Sequence, residues 1–491
     1  MKGSIFLIYF FIYSIIMLYV GYYYSKKQNS GLEYFLGGRN IKWWLITLTF
    51  TASWFGPTGA VVSMGKAFSQ GISSVWLIAG PTWIAIAILT ALFAKKTRRI
   101  SEEKNIFTLA EIFNLRYNKV SSLLMLICVL FYLTGLTVAC FLGMAKALSV
   151  LTNINWFLAL ILAGTVATIY TVLGGYMSVI VTDALQTILL GFGMLIFAII
   201  SWSRAGGWVN IKQATIGTEG YTNLFSNFSE YLPMIIAFGF GWVASQEIFQ
   251  RFASAKDENH AVKGGWAALA INIPLYLLPI IAGLGAKVWL TPLLKSAGDS
   301  SIGAEKLSFW VAANALGAFG VFLFVAIMAA IMSSADTFIN TASMSVVRDV
   351  YIKYFVKERK IDGIEMVKIS RIGTLLFCII AIIICFSFTS ILDALFLGSD
   401  ILVCGMLVPL VGAFWWRKAT AAGATASTLG GLVFVIGDFV LHRMGVSVPW
   451  PGYPKSLYVG VLLSIILFVG VSLSTKQSET SDVDVFFAEK K

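Results

Sequence analysis

The chain has 491 residues, of which 58% are hydrophobic, 14% aromatic and only 12% charged. Apolar runs of about 18 or more residues recur along its whole length, which excludes a soluble globular domain and calls for a helical protein crossing a membrane many times. The formal net charge of +12 is no nucleic-acid footprint, because the basic residues sort by side of the membrane.

Thirteen apolar spans are expected, at roughly 4–25, 42–70, 74–94, 121–150, 156–173, 176–201, 231–250, 262–289, 307–344, 370–390, 392–415, 420–441 and 457–474. The first has one Lys before it, no small-residue cleavage site and basic residues after it, so it reads as a retained span, not a signal peptide. With the N-terminus outside and the C-terminus cytoplasmic, the inner connections hold 26 of the 36 Lys and Arg and the outer ones seven. That asymmetry is the positive-inside bias of a multi-pass protein of the cell membrane. All five cysteines (Cys128, Cys140, Cys378, Cys385, Cys404) fall inside spans without metal-ligand spacing. The two histidines, His260 and His442, sit near span ends, and no catalytic constellation points to an enzyme.

Span 1 is apolar all round and reads as peripheral. The connection after it carries Glu33-Tyr-Phe-Leu-Gly-Gly-Arg39. Span 2, Lys42 to Gln70, would reach about 43 Å as a straight helix, against an apolar core of about 30 Å. Its middle reads Ala52-Ser-Trp-Phe-Gly56-Pro57-Thr58-Gly59, and Pro57 breaks or kinks a helix there, freeing carbonyls around 52–56. A bound cation or solute, or an ordinary proline kink, fits that pattern. Lys66 reads as snorkelling to the outer interface.

The inner loop after span 3 is amphipathic in its second half, Thr108 to Asn118, and is expected to form a short interfacial helix. Gly174-Gly175 turns span 5 into span 6, which carries Asp183 and Gln186 on one face. Span 7 contains Gly239-Phe-Gly241-Trp242 and then Ser245-Gln246-Glu247 and Gln250-Arg251, which suggests a second weakened helix. Interrupted helices in corresponding positions of two halves point to a transporter's binding site. Here they open spans 2–6 and 7–11, two five-span units of opposite topology.

Span 9 carries Ala330-Ile-Met-Ser333-Ser334-Ala-Asp336-Thr337. Positions 330, 333, 334 and 337 share one helical face, bordered by Asp336. A carboxylate at membrane depth is costly, roughly 2.5–3.5 kcal/mol on insertion scales. Two readings fit: hydroxyls and a carboxylate gathered for a hard cation, or serines bonding a neighbouring helix with Asp336 in an ion pair. Asp400 in span 11 is placed near a polar cavity or a partner, without an assigned role.

These landmarks, with Leu109-Ala-Glu111, Arg116-Tyr-Asn118 and Thr182-Asp183-Ala-Leu-Gln186, resemble the sodium:solute symporter family in order and spacing over about residues 4–440. The resemblance implies an all-α integral membrane protein with a 5+5 inverted-repeat core of the leucine-transporter type. On that basis residues 1–41 form the first peripheral helix and inner loop, 42–203 the first repeat, and 204–230 an outer loop. Residues 231–416 form the second repeat, 417–474 peripheral spans 12 and 13, and 475–491 a cytoplasmic tail.

The resemblance also implies a sodium site from the carbonyls of Ala52, Phe55 and Ala330 with the hydroxyls of Ser333 and Ser334. A possible second cation falls to Asp183, Asp336 and Thr337, although a hydroxyl is usual where this chain has Asp336. The expected function is inward symport of Na+ with a small polar organic solute by alternating access. Its rivals are a transporter-fold membrane sensor and a channel, and the short polar tail lacks a signalling domain. The candidate solute lining is Trp54, Thr58, Gly59, Tyr132, Trp242 and Gln246. Trp54 and Trp242 flank the two helix breaks, and two indole faces there would suit a cationic or zwitterionic amine, although aromatics line sugar pockets equally well.

Overall fold

Backbone groups inside a bilayer find no water, so each crossing must close its hydrogen bonds internally. The structure, a computed structural model, describes residues 2–26, 30–299, 301–356, 363–452, 454–476 and 482–487. Among these residues there are helices and no strand, apart from one isolated bridge between Ile41 and Ala255. Lys27, Lys357, Arg359, Lys360, Lys490 and Lys491 of the inner-side count, and most of the 475–491 tail, lie outside the described residues.

Eleven described helices are long and apolar enough to cross a membrane, and a bent pair, Phe228–Ala244 with Gln246–Ser254, makes a twelfth. One of the eleven, Trp156–Ala205, has 50 residues and would be about 75 Å long if straight. It turns at Gly175 (φ 60°, ψ −173°), a backbone conformation that L side chains rarely adopt. Divided there, it supplies spans 5 and 6, and the expected thirteen crossings are accounted for.

Span 9 is shorter at its outer end than the apolar run 307–344 suggests. Ala304–Asn314 forms a separate helix, and the chain turns at Gly317 (φ 55°) before Ala318–Ser345 begins. Hydrophobicity did not mark this break, because both pieces are apolar and pack together. A Cβ on Gly320 would lie 1.9 Å from the Ala312 carbonyl oxygen.

The polar connections after spans 1 and 3 are structured by local caps and hydrogen bonds. Thr108 and Glu111 form a capping box on the expected interfacial helix, Leu109–Arg116. Arg39 follows two glycines of positive φ and donates to the carbonyls of Ser101 (2.8 Å) and Ile106 (3.2 Å). The run around Glu33–Arg39 thus clamps the first inner connection to the second. Span 1 faces outward along much of its length, yet Tyr13 and Met17 are buried and meet Gln186 of span 6. Spans 12 and 13 expose rows of apolar side chains, including Val433, Val440, Leu462 and Ile466, to the surroundings.

Two breaks lie in the buried interior. Span 2, Trp43–Gln70, turns at Gly56 (φ 39°, ψ −159°) and continues from Pro57 as a π-helical turn, Thr58–Val62, before Ser63–Gln70. The turning residue is therefore the glycine. Pro57, which needs no hydrogen-bonding amide, begins the outer segment, as proline does at a helix start. Span 7 breaks at Ser245 (φ −76°, ψ 123°) with a bend of 42°, a few residues beyond the Gly239–Gly241 pair expected to weaken it. At those glycines the helix passes from a π-helical stretch, Ile235–Phe240, to a 3-10 turn, Gly241–Ala244, and Gly241 also allows close packing, since a Cβ there would lie 3.0 Å from Val403 Cβ.

Gly56 tests this account of the break. An added Cβ would adopt a conformation reserved for glycine, costing about 1–3 kcal/mol, and would sit 2.8 Å from Ser334 Oγ. Gly56→Ala is expected to lower thermal stability by at least that much and to abolish solute uptake. Gly191→Ala, with nothing within 4 Å of the new methyl, should change neither; the comparison is made on detergent-purified protein and in proteoliposomes.

Candidate functional site

The Gly56 break leaves the last carbonyls of the inner half-helix facing span 9. Ser333 Oγ lies 3.1 Å from the Ala52 carbonyl oxygen and 2.9 Å from that of Ala330. Ser334 Oγ reaches the same two carbonyls at 3.2 and 3.4 Å. Ala52, Ala330, Ser333 and Ser334 are all fully buried. Each hydroxyl here donates its proton to a carbonyl. A small cation would instead take the hydroxyl lone pairs and the carbonyls together, and an all-oxygen set of this kind suits a hard ion. Both readings of the span-9 stripe thus meet in one place: the serines do bond a neighbouring helix, and they do so at the broken one. Phe55 stands differently from the other four. Its carbonyl accepts the Thr58 N–H across the break, and its ring packs on Tyr276 with centroids 4.8 Å apart.

The second group centres on a residue to which the sequence reading assigned no role. Arg251, from the inner half of span 7, is fully buried. Its Nη2 lies 2.7 Å from Thr337 Oγ1, 3.0 Å from Thr49 Oγ1 and 3.4 Å from Asp183 Oδ2, and it also meets Ser53 Oγ. Thr49 donates to Asp183 Oδ2 at 2.5 Å. The guanidinium therefore stands between Asp183 and Thr337. Asp336 points elsewhere, accepting the Tyr170 hydroxyl at 2.8 Å. The structure does not bring Asp183, Asp336 and Thr337 together as one set of free oxygens. Two carboxylate oxygens, Asp183 Oδ1 and Asp336 Oδ1, have no hydrogen-bond partner among the described residues, and Arg251 forms an ion pair with Asp183 alone. Ser53 links the two groups, because it neighbours Ala52 in sequence and lies 3.2 Å from Thr337 Oγ1.

Above the serines lies a small cavity of about 20 Å³, room for about one water molecule in this conformation, lined by Ser53, Trp54, Thr58, Trp242, Ser334 and Phe338 among others. Trp54 and Trp242 meet directly, with ring centroids 4.9 Å apart and planes inclined by 48°. Trp242 is fixed by its N–H to Ser399 Oγ at 3.0 Å, and Trp54 by the Tyr276 hydroxyl on its carbonyl at 2.6 Å.

Of the six candidate lining residues, Trp54, Thr58 and Trp242 line this cavity. Gly59 faces the Phe55 ring, 2.9 Å from a built Cβ. Tyr132 stands behind Trp54, its hydroxyl on Glu247 at 2.9 Å. Gln246 turns to the inner loop, accepting the Leu109 N–H at 2.6 Å and donating to the Phe107 carbonyl at 3.3 Å. It caps the interfacial helix, because the break at Ser245 rotates the face that follows. Glu247, buried and bonded by Trp54 and Tyr132, and Arg251 are the residues that spacing did not single out. A carboxylate and a guanidinium four apart at membrane depth was the available signal. Asp400 does line a small cavity, of about 10 Å³, with Asp438, whose carboxylate accepts the Trp450 N–H at 2.7 Å.

Comparisons place this geometry among known proteins. The sodium:solute symporter family profile matches residues 34–431. A sodium/glucose cotransporter of Vibrio parahaemolyticus is 26% identical, the match covering 95% of this chain and 90% of the relative. The osmoregulated proline transporter of Bacillus subtilis is 25% identical over 93% of each chain, and a sodium/proline symporter of Staphylococcus aureus is 26% identical over 87% and 84%. Among solved structures, a Na+-coupled sialic acid symporter in a substrate-bound outward-open state superposes with a TM-score of 0.80 at 18% identity. That match covers 97% of this chain and 99% of the other. The transporter MhsT, in complex with L-phenylalanine, superposes with a TM-score of 0.52 at 14% identity.

The buried Arg251–Asp183 pair carries a stability prediction. Removing one partner of a buried pair leaves an uncompensated charge and costs about 3–5 kcal/mol. Asp183→Asn and Arg251→Gln are each expected to lower the thermal stability of the purified protein on that scale. The double variant should recover much of the loss. Strictly additive losses would show that the two side chains do not act as a pair.

Proposed function

The chain belongs to the sodium:solute symporter family, and we propose that its sodium ion binds between the Gly56 break and the span-9 serines. Sodium-coupled solute symport across the membrane is the function of this multi-pass protein. The observation that carries the site is the convergence of Ser333 and Ser334 on the Ala52 carbonyl, with Ala330 completing the cluster. The Phe55 carbonyl joins the set once the ion draws it from Thr58. Sodium then ties span 2 to span 9 and holds the broken helix in the shape that forms the solute cavity.

The solute site is the cavity at the two breaks, with Trp54, Thr58 and Trp242 in its wall. Tyr132 supports the wall from behind, through Glu247 and the Trp54 indole. Transport proceeds inward by alternating access, with the N-terminus outside and the C-terminus cytoplasmic, the orientation supported by the Lys and Arg distribution. Spans 2–6 and 7–11 move against one another as the two repeats. A membrane potential of about 100 mV supplies about 2.3 kcal/mol per sodium, and a tenfold gradient adds about 1.4 kcal/mol.

Asp183, Asp336 and Thr337 form a charge reservoir around Arg251. The unpartnered oxygens of Asp183 and Asp336 support a second positive charge entering there during the cycle.

Two predictions follow from these assignments. Ser333→Ala and Ser334→Ala each remove one hydroxyl ligand while keeping a small residue that inserts well. The half-saturating sodium concentration for uptake is expected to rise about tenfold or more, a change of about 1.4 kcal/mol, at near-normal membrane levels. Unchanged sodium dependence in both variants would refute the site. For the second charge, Asp336→Asn is expected to reduce the charge moved per solute in electrogenic proteoliposomes. Wild-type coupling with normal expression would exclude that role.

A further inference from the structure

Glu247 is a buried carboxylate whose partners are the Trp54 indole N–H (Nε1 to Oε1, 3.0 Å) and the Tyr132 hydroxyl (to Oε2, 2.9 Å). Among the described residues it has no ion pair. Arg251, one turn away, donates Nη1 to the Glu247 backbone carbonyl at 3.0 Å and directs Nη2 to Asp183 and the hydroxyls.

The hydrogen-bond accounting favours the ionised acid. The Gln246 N–H donates to the Tyr132 hydroxyl at 2.6 Å, so the single phenolic proton is free for Glu247. The indole can only donate. Both carboxylate oxygens are therefore acceptors, and no proton is needed on either.

A negative charge hydrogen-bonded to the rim of an indole pushes electron density into the ring, as linked hydrogen bonds polarise one another. That ring is Trp54, which lines the cavity and meets Trp242 at 4.9 Å. The cavity thus has two aromatic faces, and the one backed by Glu247 is made more negative.

The remainder of the wall supplies little for a hydroxyl-rich solute. Leu136, Ala139, Leu395, Pro57 and Phe338 are apolar. The Ser53 and Ser334 hydroxyls are committed to the Thr49 and Ala52 carbonyls. The Thr58 hydroxyl and the remaining lone pairs of Ser53 and Ser334 could answer only a few groups, so most hydroxyls of a sugar buried there would be left unpaired, at a cost of about 1–3 kcal/mol each. An anion would find no Lys or Arg in the cavity wall, with the Glu247 carboxylate behind Trp54.

We propose that the transported solute carries an alkylated, positively charged nitrogen, seated against Trp54 and Trp242 and selected by the Glu247 charge. An alkylated ammonium needs few hydrogen bonds and is held by aromatic faces, which is what this wall offers. The proposal rests on the reading of this cavity as the solute site. It deepens that reading by naming the substrate class and a specificity-determining residue.

The test uses purified full-length protein and measures sodium-dependent ligand stabilisation against a potassium control. The probes are choline, its neutral isostere 3,3-dimethylbutanol, trimethylglycine, glucose and lactate. Choline or trimethylglycine is expected to stabilise the protein in sodium, and whichever binds more tightly sets the net charge of the solute. The neutral isostere should bind at least tenfold more weakly than the preferred ammonium compound. In Glu247→Gln the preference for the charged compound over its isostere should collapse. Because this is a ratio within one variant, a general loss of stability does not mimic it. Trp54→Phe, which keeps a ring but loses the N–H to Glu247, should weaken ammonium binding several-fold. Stabilisation by glucose or lactate and by no ammonium compound, or by none of the probes, would overturn the proposal. Ammonium binding that is sodium-dependent but indifferent to both the Trp54 and Trp242→Phe variants would overturn the cavity assignment instead.

Discussion

Two serine hydroxyls of span 9 meeting one carbonyl of a broken span 2 is the contact on which the rest of the arrangement depends. In a bilayer interior an unpaired backbone carbonyl costs several kcal/mol, so a helix can be interrupted there only where something accepts the freed groups. Gly56 makes the interruption sterically possible, and Ser334 fills the space that its missing side chain leaves. Ala52 and Ala330 then supply carbonyls to a pair of small hydroxyls that can serve each other or an ion. The break, the serine pair and the small residues form one device, and each has a physical reason only in the presence of the others.

Around that device the chain holds ionised groups that are costly to bury and are therefore arranged in company. Arg251 answers Asp183 and borrows the hydroxyls of Thr49, Ser53 and Thr337. Because these come from spans 2, 6, 7 and 9, the guanidinium ties both broken helices to both partners of the serine site. Span 7 also meets the connection between spans 3 and 4. Gln246 caps the interfacial helix Leu109–Arg116, and Thr108 at the start of that helix bonds Asp349 at 2.8 Å. The residue after the Ser245 break is thus bonded directly to that connection.

What was legible in the sequence was what local pattern dictates. Thirteen spans follow from apolar runs, the Gly175 turn from a glycine pair, and the interfacial helix from the amphipathic pattern of Thr108 to Asn118. The serine stripe declared itself because helical spacing puts positions 330, 333 and 334 on one face. The break of span 2 was located within one residue, since proline and glycine share the work there. Partner choice was not legible. Nothing in the spacing of Arg251 says that it reaches Asp183, 68 residues earlier, or that Asp336 turns to Tyr170. Gln246 was placed in the wall with Trp242, and the bend at Ser245 sends it to Leu109 instead. Glu247 was overlooked because its bonds to Trp54 and Tyr132 exist only once three spans are assembled.

The account's central claim is that sodium joins the broken part of span 2 to span 9. Hydrogen–deuterium exchange on the protein in lipid nanodiscs, with sodium replaced by equal potassium, tests it most directly. Sodium is expected to slow exchange together in residues 50–60 and 328–340, while spans 12 and 13 stay unchanged. Protection confined to other spans, or none in either segment at saturating sodium, would contradict the claim.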